Sequence, residues 1–238
     1  MRKLSYFHEN YFNNIFVGLE KIIPKCIHPN IITITNFIMV SLVNYYKLYN
    51  NAKYFSLSLL LYWTLDNLDG VHARATNQTS QLGEILDHCL DGYILPLFLN
   101  MELQYFNIDH MQSKTILVLA ISIFSVKHLM NKYTGEFSLG FKYFSISELC
   151  IIGSLLPFIK LFNISQDLIS IIVYLLIILW SIGLFNDIKK LYQENKIKYY
   201  DTILYLCIST LPLYIDNINI IGGAMTLYLL YIKTTQKR

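Results

Sequence analysis

The feature that most constrains this chain is a stretch that carries four aspartates in otherwise apolar sequence: Asp66, Asp69, Asp87 and Asp91. The chain is 54% hydrophobic and only 15% charged, with a mean hydropathy of +0.41. Soluble domains carry about 25% charged residues, so the composition is typical of a membrane protein. An acidic side chain near the middle of a bilayer costs ~2.5–3.5 kcal/mol. Four of them together therefore require a polyvalent cation, a water-filled cavity, or both.

The apolar runs predict an all-α, polytopic membrane bundle of about eight transmembrane helices. We place these spans at residues 31–47, 54–73, 82–101, 115–130, 146–162, 168–186, 202–214 and 218–232. Pro212 and the polar run 216–219 would also fit a re-entrant hairpin in place of the last two spans. The chain is expected to form a single domain, 1–238, divided into an N-terminal helix (1–28), core helices (29–150) and C-terminal helices (151–238).

The N-terminal residues 4–20 predict an amphipathic helix that lies on the membrane surface. Its apolar face would contain Leu4, Phe7, Tyr11, Phe12, Ile15, Phe16 and Leu19. A soluble helix packed on the loops is the alternative. After it, Asn30 is expected to be the N-cap of the first core helix.

The distribution of basic residues predicts which side of the membrane each loop faces. If the N-terminus is cytosolic and eight spans alternate, only four of the 19 Lys and Arg residues face the far side: Lys47, Lys53, Lys114 and Lys160. Both termini and the loop 74–82 are therefore predicted to be cytosolic. The Asn77-Gln78-Thr79 sequon in that loop should stay unmodified.

Other features of the composition exclude some classes of function. The net charge of +3 is too small to indicate a nucleic-acid partner. The four cysteines contain no C-x-x-C pair, so neither a zinc site nor a disulfide framework is indicated.

The spacing of the aspartates predicts a metal site. Asp66 and Asp69 are three residues apart, and Asp87 and Asp91 are four apart, so each pair shares a helical face. The short loop between the pairs lets the two helices run antiparallel and the carboxylates converge. Such oxygen donors suit one or two Mg²⁺ or Mn²⁺ ions.

Small residues and an arginine accompany these carboxylates. Gly70, Ala73 and Gly83 would allow a bulky polar ligand or a neighbouring backbone to approach closely. Arg74 offers a forked donor suited to phosphate oxygens. With a divalent metal, this set suits diphosphate binding and phosphoryl transfer. Taken alone, Arg74 would be a cytosolic anchor and Gly83 a helix start, and the four aspartates could also line a cation pathway.

The complete pattern resembles the signature of the CDP-alcohol phosphotransferase family. The matching residues are Asp66-x2-Asp69-Gly70-x2-Ala73-Arg74-x8-Gly83-x3-Asp87-x3-Asp91. The resemblance implies that the four aspartates bind the metals and that the CDP-alcohol sits over them. The residues it assigns to CDP-alcohol binding are Asn30, Asp66, Asp69, Gly70, Ala73, Arg74 and Gly83.

Three further runs resemble the choline/ethanolamine phosphotransferase branch. They are ARATNQTSQLGEILDHCLDG, the run His28-Pro29-Asn30-x-Ile32-Thr33, and Tyr133-Thr134-Gly135 followed by Leu139 and Glu148. The resemblance covers about residues 25–150, and the chain is shorter than the ten-span members of the branch. It implies CDP-choline or CDP-ethanolamine and diacylglycerol as substrates. The chain could form a homodimer. If the source is eukaryotic, the expected location is the membrane of the endoplasmic reticulum or the Golgi apparatus.

Three residues are candidates for moving the proton of the attacking alcohol. Glu84 and His88 lie four residues apart, and histidine changes charge near neutral pH, so we expect His88 to be the base and Glu84 to orient it. Asp91 is the alternative base, as in other branches of the family, and His88 acting only in helix packing is a third interpretation. His72, at an undefined position of the signature, is expected only to pack or to contact water.

Three other functions fit parts of the pattern. The first is transfer of phosphatidate from CDP-diacylglycerol to a soluble alcohol such as inositol or glycerol phosphate, because the signature is shared with that branch. The second is a divalent-cation transporter, which would not need the small residues or Arg74. The third is a non-catalytic membrane homologue, against which the intact signature argues.

Overall fold

The structure is a computed structural model that describes residues 11–135, 146–162, 165–193 and 197–236. Within these ranges the chain is helical and contains no strand. The helices are α1 (Asn13–Glu20), α2 (Pro29–Tyr45), α3 (Ala52–Ala75), α4 (Gln81–Tyr105), α5 (His110–Thr134), α6 (Ile146–Leu155), α7 (Gln166–Gln193), α8 (Tyr199–Tyr214) and α9 (Ile218–Thr235). Short 3-10 helices follow α2, at Leu48–Asn50, and α6, at Leu156–Phe162. The all-α prediction is confirmed for the described residues.

Each of the eight predicted spans coincides with one of the helices α2 to α9. Two stretches, His110–Thr134 and Asp167–Gln193, are long and apolar enough to cross a membrane. The second has only 6% of its most apolar window buried, so most of its apolar side chains are exposed. For the other six helices, membrane crossing stays a prediction. Helix α8 contains Pro212 and ends at Tyr214, and α9 begins at Ile218 after a short non-helical connection.

Side chains at the helix ends explain where several helices begin and stop. Asn51, Asp109 and Asn217 each accept a hydrogen bond from the backbone N–H two residues ahead, at 2.9–3.0 Å. Gly135 ends α5 in the left-handed conformation, with φ 72°, which glycine adopts without strain.

The expectation that Asn30 caps the first core helix is wrong. The N-cap of α2 is His28, whose Nδ1 accepts from the Asn30 backbone N–H at 3.2 Å. Pro29 occupies the first helical position, where its fixed φ and missing N–H are tolerated. The cap therefore lies one residue before the proline, and the Asn30 side chain is left for other contacts.

The chain divides into two compact units, and the boundary falls inside α4 between Leu90 and Asp91. One unit holds residues 3–90 and 138–163, and the other holds residues 91–137 and 164–238 together with residues 1–2. The prediction of a single domain with boundaries at 28 and 150 stays a prediction.

In the first unit, α3 packs against α1, α2 and α6. Phe16 of α1 is 1% exposed and lies in a buried cluster with Leu68 and Val71 of α3, alongside Phe12 and Trp63. The predicted apolar face of α1 is therefore divided. Phe12 and Phe16 pack on α3, whereas Tyr11, Ile15 and Leu19 are exposed. Leu4 and Phe7 lie outside the described residues.

In the second unit, α5 packs against α7, α8 and α9. One buried cluster joins Leu103 of α4 and Ile116 and Leu117 of α5 to Val173 of α7. An ion pair between Lys127 Nζ and Asp187 Oδ1, at 2.8 Å, ties α5 to α7 as well. These contacts make α5 the central helix of this unit.

The α4–α9 contact in the same unit depends on small residues. A Cβ atom at Gly92 would lie 2.3 Å from Leu229 Cδ1, and one at Gly222 would lie 2.9 Å from the Tyr93 ring. The Tyr93 hydroxyl also donates to Asn219 Oδ1 at 2.8 Å. The two helices therefore approach each other closely at Gly92 and Gly222, where an added side chain would force Leu229 or Tyr93 to shift.

Candidate active site

The first pair of aspartates lies on α3, towards its C-terminal end. Asp69 is 7% exposed and Asp66 is half-buried. The Thr33 hydroxyl of α2 donates a 2.6 Å hydrogen bond to Asp69 Oδ2, and Thr33 is itself buried. A hydrogen bond from a hydroxyl donor holds the carboxylate in one orientation. The Asp69 side chain is therefore oriented before any ligand binds.

The second pair lies on α4 and forms a group with a histidine. Asp87, His88 and Asp91 each offer a ligand atom within 4.8 Å of the others. Asp91 lies four residues after Asp87 and three after His88 on a single helix, and side chains at these spacings are neighbours on the helix surface. Two carboxylates and an imidazole fit a divalent cation, with carboxylate oxygens as the donors that Mg²⁺ and Mn²⁺ prefer.

The predicted Glu84–His88 pair lies at the outer limit of an ion pair. His88 Nε2 is 4.0 Å from Glu84 Oε1, and the Glu84 side chain is 57% exposed whereas that of His88 is 10% exposed. The contact places both groups on the face of α4 that carries Asp91. This geometry suits a buried base beside a solvated carboxylate.

The predicted small residues and Arg74 lie around these helices. A Cβ atom at Gly70 would lie 3.4 Å from Arg74 Nη1, so the guanidinium folds back over Gly70. A Cβ atom at Gly83 would lie 3.1 Å from Asn30 Oδ1. Gly83 therefore lets the start of α4 approach the start of α2. Ala73 is half-buried on α3, one residue before the exposed Arg74.

The structure brings together some of the predicted site residues and leaves others apart. Among the described residues, Asp87, His88 and Asp91 form a group of metal-ligating side chains within 4.8 Å, and Asp66 and Asp69 are not members of it. Asn30 and Gly83 meet at the helix starts. The convergence of all four aspartates on two ions stays a prediction.

The Tyr133-Thr134-Gly135 run ends α5 and joins a polar network. Asp201 of α8 is fully buried and accepts from the Tyr133 hydroxyl, from Lys132 Nζ at 2.8 Å, and from the Tyr231 hydroxyl at 2.8 Å. The network ties α5, α8 and α9 together within one unit. Leu139 and the Glu148 side chain lie outside the described residues.

Sequence reasoning missed two groups of contacts near the signature. Thr33 belongs to the run 28–33 that resembles the choline/ethanolamine phosphotransferase branch. Nothing in the sequence indicates that it forms a hydrogen bond with Asp69, 36 residues away. His72 is fully buried, as packing predicts, but it also contacts Glu20 and the Ile27 carbonyl. The sequence gives one hint of this role: His72 is a polar residue between Gly70 and Ala73, at a position that the signature leaves undefined.

Comparison with known proteins gives named relatives. Choline/ethanolaminephosphotransferase 1 of Saccharomyces cerevisiae is 44% identical over 82 residues, and cholinephosphotransferase 1 of the same organism is 38% identical over 82 residues. Each match covers 30% of this chain and 21% of the relative. CDP-diacylglycerol–serine O-phosphatidyltransferase of Encephalitozoon cuniculi is 30% identical over 133 residues, covering 51% of this chain and 34% of the relative.

This chain thus spans about a fifth of the length of the yeast relatives that it matches. The family model described as CDP-alcohol phosphatidyltransferase matches far more of it, over residues 26–231. That range contains every signature residue and all helices from α2 to α8. The chain belongs to the CDP-alcohol phosphatidyltransferase family.

Proposed function

We propose that this chain transfers phosphocholine or phosphoethanolamine from a CDP-alcohol to diacylglycerol and releases CMP. The observation that carries the proposal is the group of Asp87, His88 and Asp91 on α4 inside a complete family signature. The family consists of membrane transferases of phospholipid synthesis. The names of the two yeast relatives favour the choline and ethanolamine headgroups.

The four aspartates are the residues that would hold one or two divalent cations, Mg²⁺ or Mn²⁺. When bound, such ions would neutralise the diphosphate and the charge that develops on departing CMP. Thr33 keeps the Asp69 carboxylate in one orientation through its 2.6 Å hydrogen bond. Because the Asp69 side chain is already oriented, it loses less conformational freedom when the metal and the nucleotide bind.

The groups around the carboxylates bind and orient the CDP-alcohol. Arg74 folds over Gly70 and presents a planar fork of N–H donors to phosphate oxygens. Asn30 and Gly83 meet where α2 and α4 begin, and the absent Cβ atom at Gly83 leaves room for close approach. The proposal therefore places the diphosphate near the start of α4, on the predicted cytosolic side.

The proton leaves the diacylglycerol hydroxyl for His88. The alcohol oxygen then bonds to the phosphorus distal to the nucleoside, the bond from that phosphorus to the CMP oxygen breaks, and CMP departs with the electron pair. His88 is buried next to Asp91 and 4.0 Å from Glu84, whose carboxylate stabilises the imidazolium that forms. Asp91 remains the alternative acceptor of the proton.

The direct test is to replace Asp87 with asparagine, which keeps the shape of the side chain and removes its charge. CMP release from CDP-choline and diacylglycerol with Mn²⁺ should fall to background. The matched control is Asp216→Asn, because Asp216 is an exposed carboxylate in the loop between α8 and α9. The control should keep its activity. Undiminished turnover in Asp87→Asn would contradict the proposal that Asp87, His88 and Asp91 form the active site.

A second candidate is transfer of phosphatidate from CDP-diacylglycerol to a soluble alcohol. The match to the serine phosphatidyltransferase favours it, because that match covers 51% of this chain compared with 30% for the yeast relatives. The two candidates share the metal and the nucleotide. They differ in which substrate carries the diphosphate, and hence in the lipid formed.

A further inference from the structure

His72 joins three separate segments of the chain from inside the signature. Its side chain is 0% exposed. Its Nδ1 lies 3.2 Å from Glu20 Oε1, at the end of α1, and its Nε2 lies 2.9 Å from the Ile27 carbonyl oxygen, in the turn before α2. These partners are 52 and 45 residues away in sequence. One imidazole therefore holds both α1 and the start of α2 against α3.

The chemistry of the two contacts requires a proton between His72 and Glu20. A carbonyl oxygen can only accept, so Nε2 must donate to Ile27. In a neutral ring, Nδ1 is then an acceptor and would face the carboxylate oxygen without a hydrogen. A glutamine at position 20 would supply the missing hydrogen from its own amide.

Aromatic packing extends the same attachment along α3. The Phe12 and Phe16 rings meet the Trp63 ring edge-on, with centroids 5.3 and 5.0 Å away. Phe16 is also packed against Leu68. From Trp63 to His72 the contacts run along about two and a half helical turns. Asp66 and Asp69 lie within that stretch.

The turn that His72 holds leads directly into α2. Ile27 is followed by His28, the N-cap, and by Asn30, whose Oδ1 approaches Gly83. Other apolar side chains of the N-terminal segment are exposed, among them Ile15, Leu19 and Ile22. The α1 segment thus contacts the signature helix on one side and offers its other side to the surroundings.

We propose that His72 is a positioning residue that couples α1 to the signature helix. Through Glu20 and Ile27 it sets the placement of Asp66 and Asp69 on α3 and of Asn30 at the start of α2. The effect on catalysis rests on the proposed function, whereas the docking of α1 on α3 does not. A residue that acts through others in this way should change substrate binding more than it changes fold.

The experiment uses the full chain with Trp180→Phe, which leaves Trp63 as the only tryptophan of the original two. His72→Leu and Glu20→Leu remove the contact from either side, and Glu20→Gln keeps a donor for Nδ1. Lys21→Gln is the matched control, because Lys21 is exposed next to Glu20. Trp63 emission reports docking of α1, and the KM for CDP-choline and the kcat report the site.

Both leucine variants should shift Trp63 emission to the red and raise the KM by about 2- to 30-fold, the range typical of residues that act through a network. Glu20→Gln and the control should match the parent in both measurements. Unchanged emission and KM in both leucine variants would overturn the proposal, and so would a red shift with unchanged KM. If His72→Leu fails to fold, Glu20→Leu, at the end of a short helix, decides.

Failure of the proposed function gives a different result. The parent protein would then release no CMP from CDP-choline, while Trp63 emission would still separate the leucine variants from Glu20→Gln. In that case coupling is measured without turnover. Trp63 emission is followed as Mn²⁺ is added, and the half-saturating Mn²⁺ concentration is compared between variants in place of the KM. An equal half-saturating concentration in all variants would overturn the coupling.

Discussion

Replacing Thr33 with valine removes a single hydroxyl and tests whether Asp69 is a pre-oriented ligand. The hydroxyl donates to Asp69 Oδ2 at 2.6 Å, and both residues are buried, at 9% and 7% exposed. Hydrogen bonds to charged groups contribute about 1.5–3 kcal/mol. If this free energy is lost from metal binding, the half-saturating Mn²⁺ concentration should rise by about 10- to 150-fold, since 1.4 kcal/mol is a factor of ten.

The assay is CMP release from CDP-choline and diacylglycerol, measured over a series of Mn²⁺ concentrations. Thr33→Ser is the matched control because it keeps the hydroxyl, and it should stay within a few-fold of the parent protein. Loss of only thermal stability in Thr33→Val, with the Mn²⁺ dependence of the parent, would refute the reasoning. Thr33 would then stabilise the α2–α3 contact without preparing the site.

Two more substitutions follow from the geometry of α4. Gly92→Ala puts a Cβ atom 2.3 Å from Leu229 Cδ1 and should lower the free energy of unfolding by about 1–3 kcal/mol, as overpacking does. In thermal melts, Gly92→Ala should cost less stability in a Leu229→Ala background than in the parent protein, and additive effects of the two substitutions would contradict the contact. His88→Gln should lower kcat by about 10²–10⁴-fold at saturating Mn²⁺, as loss of a general base does. If instead His88→Gln needs more Mn²⁺ but reaches the parent kcat at saturation, His88 is a metal ligand. If its kinetics are unchanged, Asp91 is the base.

The sequence predicted those parts of the structure that depend on local pattern. Apolar runs placed a helix at each of the eight predicted spans, because a buried or lipid-facing helix needs an uninterrupted apolar stretch. The spacing of Asp87 and Asp91 predicted that both lie on one face, and the structure groups them with His88. Such relations depend only on the helical repeat.

The rest depends on contacts between distant segments, which spacing does not encode. Asn30 was expected to cap α2, but Pro29 moved the cap to His28. Nothing local to Thr33 or Asp69 indicates that they meet, because their hydrogen bond is set by how α2 packs on α3. His72 has its role for the same reason, since Glu20 reaches it only after α1 has packed on α3.

The most direct test of the central claim is to identify the lipid product of the purified chain. The protein with Mn²⁺ would receive diacylglycerol with CDP-choline, diacylglycerol with CDP-ethanolamine, or CDP-diacylglycerol with serine or inositol. CMP release and the lipid product would be measured in each case. We predict CMP together with phosphatidylcholine or phosphatidylethanolamine. Product formed only from CDP-diacylglycerol would establish the second candidate, and absence of CMP from every pair would contradict a catalytic role.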